Sequence, residues 1–161
     1  MSKKEDKTNV MRILEQKKIA YTPYCYKELE LTNGAEIAKA LQQDPNLVFK
    51  TLVTVGKSKQ NYVFVIPVEE ELDLKAAAKA VGEKSIAMIP QKELLPLTGY
   101  VHGGCSPIGM KKAFPTTLHC TAEGYEKIFF SGGKVGYQVE VAPKDLEKIV
   151  RVQYADVIVH N

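Results

Sequence analysis

The chain has no tryptophan, and its 161 residues contain only three cysteines, Cys25, Cys105 and Cys120. An odd count with no C-x-x-C pair disfavours a disulfide framework or a four-cysteine zinc site. Reduced thiols in a cytoplasmic protein fit better. No apolar run approaches the ~20 residues that cross a bilayer, so no membrane partner is expected. The charged start, Met1-Ser-Lys-Lys-Glu-Asp-Lys7, has no apolar segment behind it and argues against a secretory signal. Repeats, low-complexity tracts and linker-like stretches are missing, which predicts one domain over residues 1–161. Standard catalytic signatures are missing too: no G-x-S-x-G, no H-E-x-x-H and no G-x-G-x-x-G. Lys134 is followed by Val135 where a phosphate-binding P-loop needs Ser or Thr.

What is present is ordinary globular material, 45% apolar and 25% charged. Twenty-two Lys and Arg against 19 Asp and Glu leave net +3, compatible with nucleic acid without demanding it. Thr8 or Asn9 caps a first helix carrying Val10, Met11, Leu14 and Lys18 on one stripe. Residues 19–26 read as a strand, with Pro23 marking an edge or bulge. Thr32-Asn33-Gly34 turns into a helix over 35–41, and Asp44-Pro45 opens another short one. Two β-rich runs, 48–55 and 62–66, flank a polar turn and predict an antiparallel hairpin. A helix over 72–81 stops at Gly82. A strand over 85–89, a Pro90-initiated helix to 95 and a glycine-rich loop from Gly99 to Gly109 follow. Strands over 128–131 and 137–141 precede a final helix over 143–150. The class is mixed α/β (α+β), a largely antiparallel or mixed sheet flanked by helices.

Five features could carry chemistry. His102 with Cys105, and His119 with Cys120, are thiol–imidazole candidates, but the sequence advertises no third partner, and ordinary buried thiols and surface imidazoles are the favoured reading. Lys50 interrupts the apolar run 47–53. With Phe49 and Thr51 on one face of that strand, Lys50 points to the other. Half-buried ammonium is costly unless a ligand meets it; snorkelling off an edge strand is the alternative. Gly99-Tyr-Val-His-Gly-Gly-Cys-Ser-Pro-Ile-Gly109 is either a cradle whose backbone approaches a ligand or a plain surface turn. Ser131-Gly132-Gly133-Lys134, after an apolar strand, either sets donors at a sheet edge or makes a hairpin turn.

In this order and at these separations, the three segments, with Leu72-Asp73-Leu74-Lys75 between the first two, resemble the YbaK/EbsC group of aminoacyl-tRNA editing domains. The resemblance runs over roughly residues 8–157. It implies one mixed α/β domain with a mostly antiparallel, barrel-like central sheet. It also implies an activity that removes cysteine mischarged onto tRNA(Pro), with Cys-tRNA(Cys) as a further substrate. In those terms Lys50 is the catalytic lysine. Tyr26, Asn33, Thr51, Gly103, Gly104, Cys105, Ser106, Pro107, Ile108, Gly109, Ser131, Gly132 and Gly133 bind the aminoacyl group. Lys111, Lys112 and Lys134 are the candidate tRNA contacts. The implied partners are the acceptor end of an aminoacyl-tRNA and a prolyl-tRNA synthetase, with no metal or other cofactor.

Two positions depart from the pattern: Gln138 stands where many relatives carry an acid, and Asn33 where some carry an aromatic. The implied reaction needs no protein nucleophile. The substrate thiol attacks its own ester and leaves as a thiolactone, so the protein has only to orient the acyl group and stabilise an oxyanion with Lys50 and loop amides. An alanyl-tRNA(Pro) deacylase using an activated water, and a non-catalytic module that binds tRNA or a synthetase, are the competing expectations.

Overall fold

The computed structural model describes residues 7–31 and 33–160. Helix α1 (Asn9–Gln16) starts where the Thr8 side chain accepts a hydrogen bond from the Met11 N–H, and it buries Val10, Met11 and Leu14. Lys18 lies beyond its end with φ +59° and stays exposed, so it leaves the predicted stripe. Helix α2 (Gly34–Ala40) is capped by Asn33, whose Oδ1 accepts from the Glu36 N–H at 3.1 Å. Asp73 caps α3 (Leu74–Val81) by accepting from Lys75 and Ala76, so the helix begins two residues later than the apolar pattern predicts. Gly82 ends it with φ +77°. Helix α4 (Leu94–Thr98) contains Pro96 in its first turn, where the missing N–H is no loss.

Strands β2 (Phe49–Gly56) and β3 (Asn61–Pro67) form the expected antiparallel hairpin, with Lys50 opposite Ile66. Strand β4 (Ile86–Met88) pairs with the free side of β2. On the other side β3 pairs in parallel with β5 (Thr116–His119), and β5 in parallel with β8 (Val152–Ala155). Neither β5 nor β8 is marked in the sequence, since four-residue strands whose partners lie far along the chain leave little local pattern. The helix expected over 143–150 is regular only in α5 (Pro143–Leu146), and hydrogen-bonded turns carry it to Val150.

A second, antiparallel sheet joins β1 (Thr22–Cys25), β7 (Tyr137–Val141) and β6 (Ile128–Ser131), with β7 in the middle. Pro23 lies on its edge strand, as expected. Among the described residues one parallel bridge, Val48 to Phe129, links the sheets, so the β structure is barrel-like in two pieces rather than closed. Along β3, Val63 and Val65 face one apolar cluster, with α1 and Phe130, while Phe64 and Ile66 face another under α3. That period of two fixes the register of the hairpin. Among the described residues no helix is long and apolar enough to cross a membrane.

Candidate active site

The start of β2 meets the glycine loop and the end of β6 around a cleft of about 210 Å³. Six of the residues predicted to form a site line it: Tyr26, Lys50, Thr51, Gly103, Cys105 and Ser131. Lys50 is half-buried, and loss of water around it lowers its pKa, with Glu71 and Glu70 pulling it part of the way back. The Thr51 Oγ1 is buried without a hydrogen-bond partner among the described residues. Both residues line the cleft, and a half-buried ammonium in a cleft is a group that a polar ligand completes. Tyr26 is buried, its N–H bound to the Gly136 carbonyl at 2.7 Å, and burial raises the pKa of its phenol.

Only part of the glycine loop faces this space. Gly103 has φ +89° and lines the cleft together with His102 and Cys105. Gly104 lies behind, where a Cβ would come within 2.9 Å of the Val135 backbone nitrogen, so glycine is what lets the loop dock on the 131–135 turn. Ser106, Pro107 and Ile108 are buried structural residues and do not line the cleft. Ser106 and Ile108 are 0% exposed, and the Ser106 Oγ accepts from the Ile108 N–H at 3.3 Å. Tyr100 donates its hydroxyl to the Ile108 carbonyl, which pins the loop from within. Gly109 closes the loop at its exposed end, away from the lining.

Gly132 and Gly133 shape the turn and do not line the cleft: Gly132 donates to the Tyr137 carbonyl and Gly133 to the Ser131 Oγ. Asn33 is the cap of α2 and does not line the cleft either, whereas Gly34 beside it does. Lys134 approaches the Tyr137 ring at 5.8 Å. Lys27 lies equally far from that ring but 3.3 Å from its hydroxyl, so it meets the oxygen end rather than the face. Lys111 and Lys112 are exposed and off the lining, and the Lys111 Nζ donates to the Pro96 carbonyl at 3.3 Å.

The thiol–imidazole candidates do not form catalytic pairs. Burial pushes the Cys105 thiol up to about 12, far from the thiolate a nucleophile needs. His119 and Cys120 are off the cleft, with the His119 Nδ1 accepting from the Val157 N–H at 3.3 Å. No three His, Cys, Asp or Glu side chains among the described residues could hold a metal ion together.

The sequence gives no warning of the apolar wall made by Ile37, Val48, Phe49, Leu52, Val68, Leu94 and Phe130, because such residues read as core. Gln138 stands out in the sequence only as a departure. In the structure it lines the cleft opposite Ser131 on β6, its Oε1 accepting from the Gln43 Nε2 at 2.7 Å and its Nε2 donating back at 3.0 Å.

The chain as a whole has counterparts among known proteins. A family profile described as an aminoacyl-tRNA editing domain matches residues 30–149. The chain belongs to the aminoacyl-tRNA editing domain family. A relative in Enterococcus faecalis, provisionally named Cys-tRNA(Pro)/Cys-tRNA(Cys) deacylase EbsC, is 46% identical over 156 residues, 96% of this chain and 95% of its own. Among solved structures, one provisionally described as a trans-editing enzyme for prolyl tRNA synthetase superposes with a TM-score of 0.80 at 24% identity, covering 97% of this chain and all of its own. A hypothetical protein superposes at 0.86 with 20% identity over 94% of this chain. At those identities the two structures speak for the editing-domain fold alone.

Proposed function

We propose that this protein is a trans-editing deacylase that releases cysteine from tRNA(Pro), and from tRNA(Cys) as well. The observation that carries the reading is a desolvated lysine in a small cleft whose lining cysteine, Cys105, burial holds as a protonated thiol and so as no ready nucleophile. An aminoacyl ester with its own thiol needs none. Its sulfur attacks the ester carbonyl carbon, the thiol proton passes to the departing ribose oxygen, and the carbon–oxygen bond breaks to leave a four-membered thiolactone. Confinement supplies the orientation that intramolecular attack rewards.

Lys50 donates to the carbonyl oxygen as it gains charge. The Gly104 and Ile108 amides are already spent on Val101 and Ser106, which leaves Gly103 and Cys105 as the cleft-lining amides of the loop. Each such donor is worth about 3 kcal/mol at the transition state. Thr51 and Ser131 offer hydroxyls to the acyl group, and Tyr26 closes the wall. An alanyl ester has no thiol of its own and depends on a water that a lining base such as His102 must activate, a slower route than intramolecular attack. The acceptor end of the tRNA is the natural partner, Lys134 the cation nearest the cleft turn, and a prolyl-tRNA synthetase the source of further affinity, in the cytoplasm.

The test is to follow ester loss from Cys-tRNA(Pro), Cys-tRNA(Cys) and Ala-tRNA(Pro). The wild type clears both cysteinyl esters and spares the alanyl one, with a transient cyclic thioester among the products. Lys50→Ala slows clearance by about 100-fold or more. Free cysteine released without the thioester overturns the mechanism, and clearance of the alanyl ester overturns the specificity.

A further inference from the structure

The charges around the cleft are unusually one-sided for a site that receives an amino acid. Its described lining contains the Lys50 ammonium and no carboxylate. Glu70 and Glu71 act on Lys50 from outside the lining, and Glu140, the acid on the same strand as Gln138, accepts the Tyr24 hydroxyl at 2.9 Å. An α-ammonium entering here finds no carboxylate in the lining to pair with, and the Lys50 charge is already partly offset by Glu70 and Glu71, so the amine is neither held nor strongly repelled.

Gln138 is the polar side chain of β7 that lines the cleft, and its amide is held in place. It is 3% exposed, and both its donor and its acceptor are engaged by the amide of Gln43. The pairing is self-consistent, since turning either amide over would set nitrogen against nitrogen and oxygen against oxygen. Backbone geometry delivers Gln43 to this spot. Gln42 takes φ +57° just past α2, and the Gln43 N–H closes on the Ala38 carbonyl at 2.8 Å, turning the chain inward.

We propose that Gln138, locked by Gln43, is a specificity determinant that lets this cleft read the thiol and carbonyl of its substrate without reading the α-ammonium. Gln43 is the positioning residue of the couple. The proposal rests on the reading of the cleft as the seat of a cysteinyl ester, and it extends the substrate class to thiol-bearing acyl groups that have no amine.

The experiment compares two non-cleavable ligands by calorimetry: 3′-cysteinylamino-3′-deoxyadenosine and its 3-mercaptopropionyl counterpart, which differ only in the amine. The wild type binds the two within about threefold of each other, a gap of well under one tenfold step in Kd. In Gln138→Glu, a carboxylate partnered by the Gln43 amide makes the cysteinyl ligand tighter than the other by at least about tenfold. A wild type that prefers either ligand by more than about threefold, or that binds neither, overturns the proposal. The wild-type comparison needs no variant, so it decides the matter even when Gln138→Glu fails to fold. Ester loss from Cys-tRNA(Pro) is read alongside: no ester loss with equal ligand binding sinks the deacylase reading alone.

Discussion

Lys50 holds a position that stability alone would not choose. Burial disfavours its charge, and Glu70 and Glu71 return only part of what the lost water supplied. Its pKa is lower in the folded chain than in the unfolded one. The unfolded state therefore binds the proton more readily, and stability rises with pH through the interval up to the ordinary lysine value. Lys50→Met, similar in length and uncharged, removes that penalty. We expect the variant to melt no lower than the wild type at pH 7, to lose the rise in melting temperature toward pH 10, and to lose deacylation altogether. A drop of several degrees at pH 7 would show that the ammonium stabilises the fold. Thr51 fits the same pattern, since its buried, unpartnered hydroxyl costs the empty fold about 1–3 kcal/mol that a ligand can recover.

Among elements, the contact that matters most is the glycine loop against the turn after β6. It depends on the missing Cβ of Gly104, which would stand 2.9 Å from the Val135 nitrogen and 3.2 Å from the Lys134 carbonyl carbon. Backbone cannot swing aside as a side chain can. Gly104→Ala is expected to cost about 1–3 kcal/mol and to depress deacylation by moving Gly103 and Cys105 away from the cleft. Gly124→Ala, where a Cβ meets nothing within 4 Å, is the control, expected to change stability by less than about 0.5 kcal/mol. Denaturant melts of the pair check both, and equal stability would separate the loop from the turn. The loop was legible as a loop because glycine and proline punctuate it. That Ser106 and Ile108 face inward while His102 and Gly103 face the cleft was not legible, because loops have no period to say which side is which.

The whole molecule carries only three more cationic than anionic side chains, by the formal net charge of +3, so its attraction to tRNA is local rather than global. If the acceptor strand passes the turn bearing Lys134, binding weakens with salt on a log–log slope that counts the phosphates neutralised. Each contact with single-stranded RNA contributes about 0.7 to that slope. Lys134→Ala should therefore lower its magnitude by about 0.7, measured by filter binding across potassium chloride concentrations. An unchanged slope removes Lys134 from the interface. The fold class and the β2–β3 hairpin were readable, but the division of the strands into two sheets was not. The parallel pairs β3–β5 and β5–β8 join segments with no turn between them to signal the match.

The sequence by itself determined the caps, the hairpin and the ordered set of Lys50, glycine loop and serine turn, because hydrogen bonding and side-chain alternation within a few residues encode them. Only the tertiary structure decided which of those residues share a cleft and that Gln138 is clasped by Gln43. Those two are 95 positions apart. An amide that far along the chain leaves no mark on its partner's neighbours, and only the tertiary fold, which sets the turn after α2 beside β7, brings the two into contact.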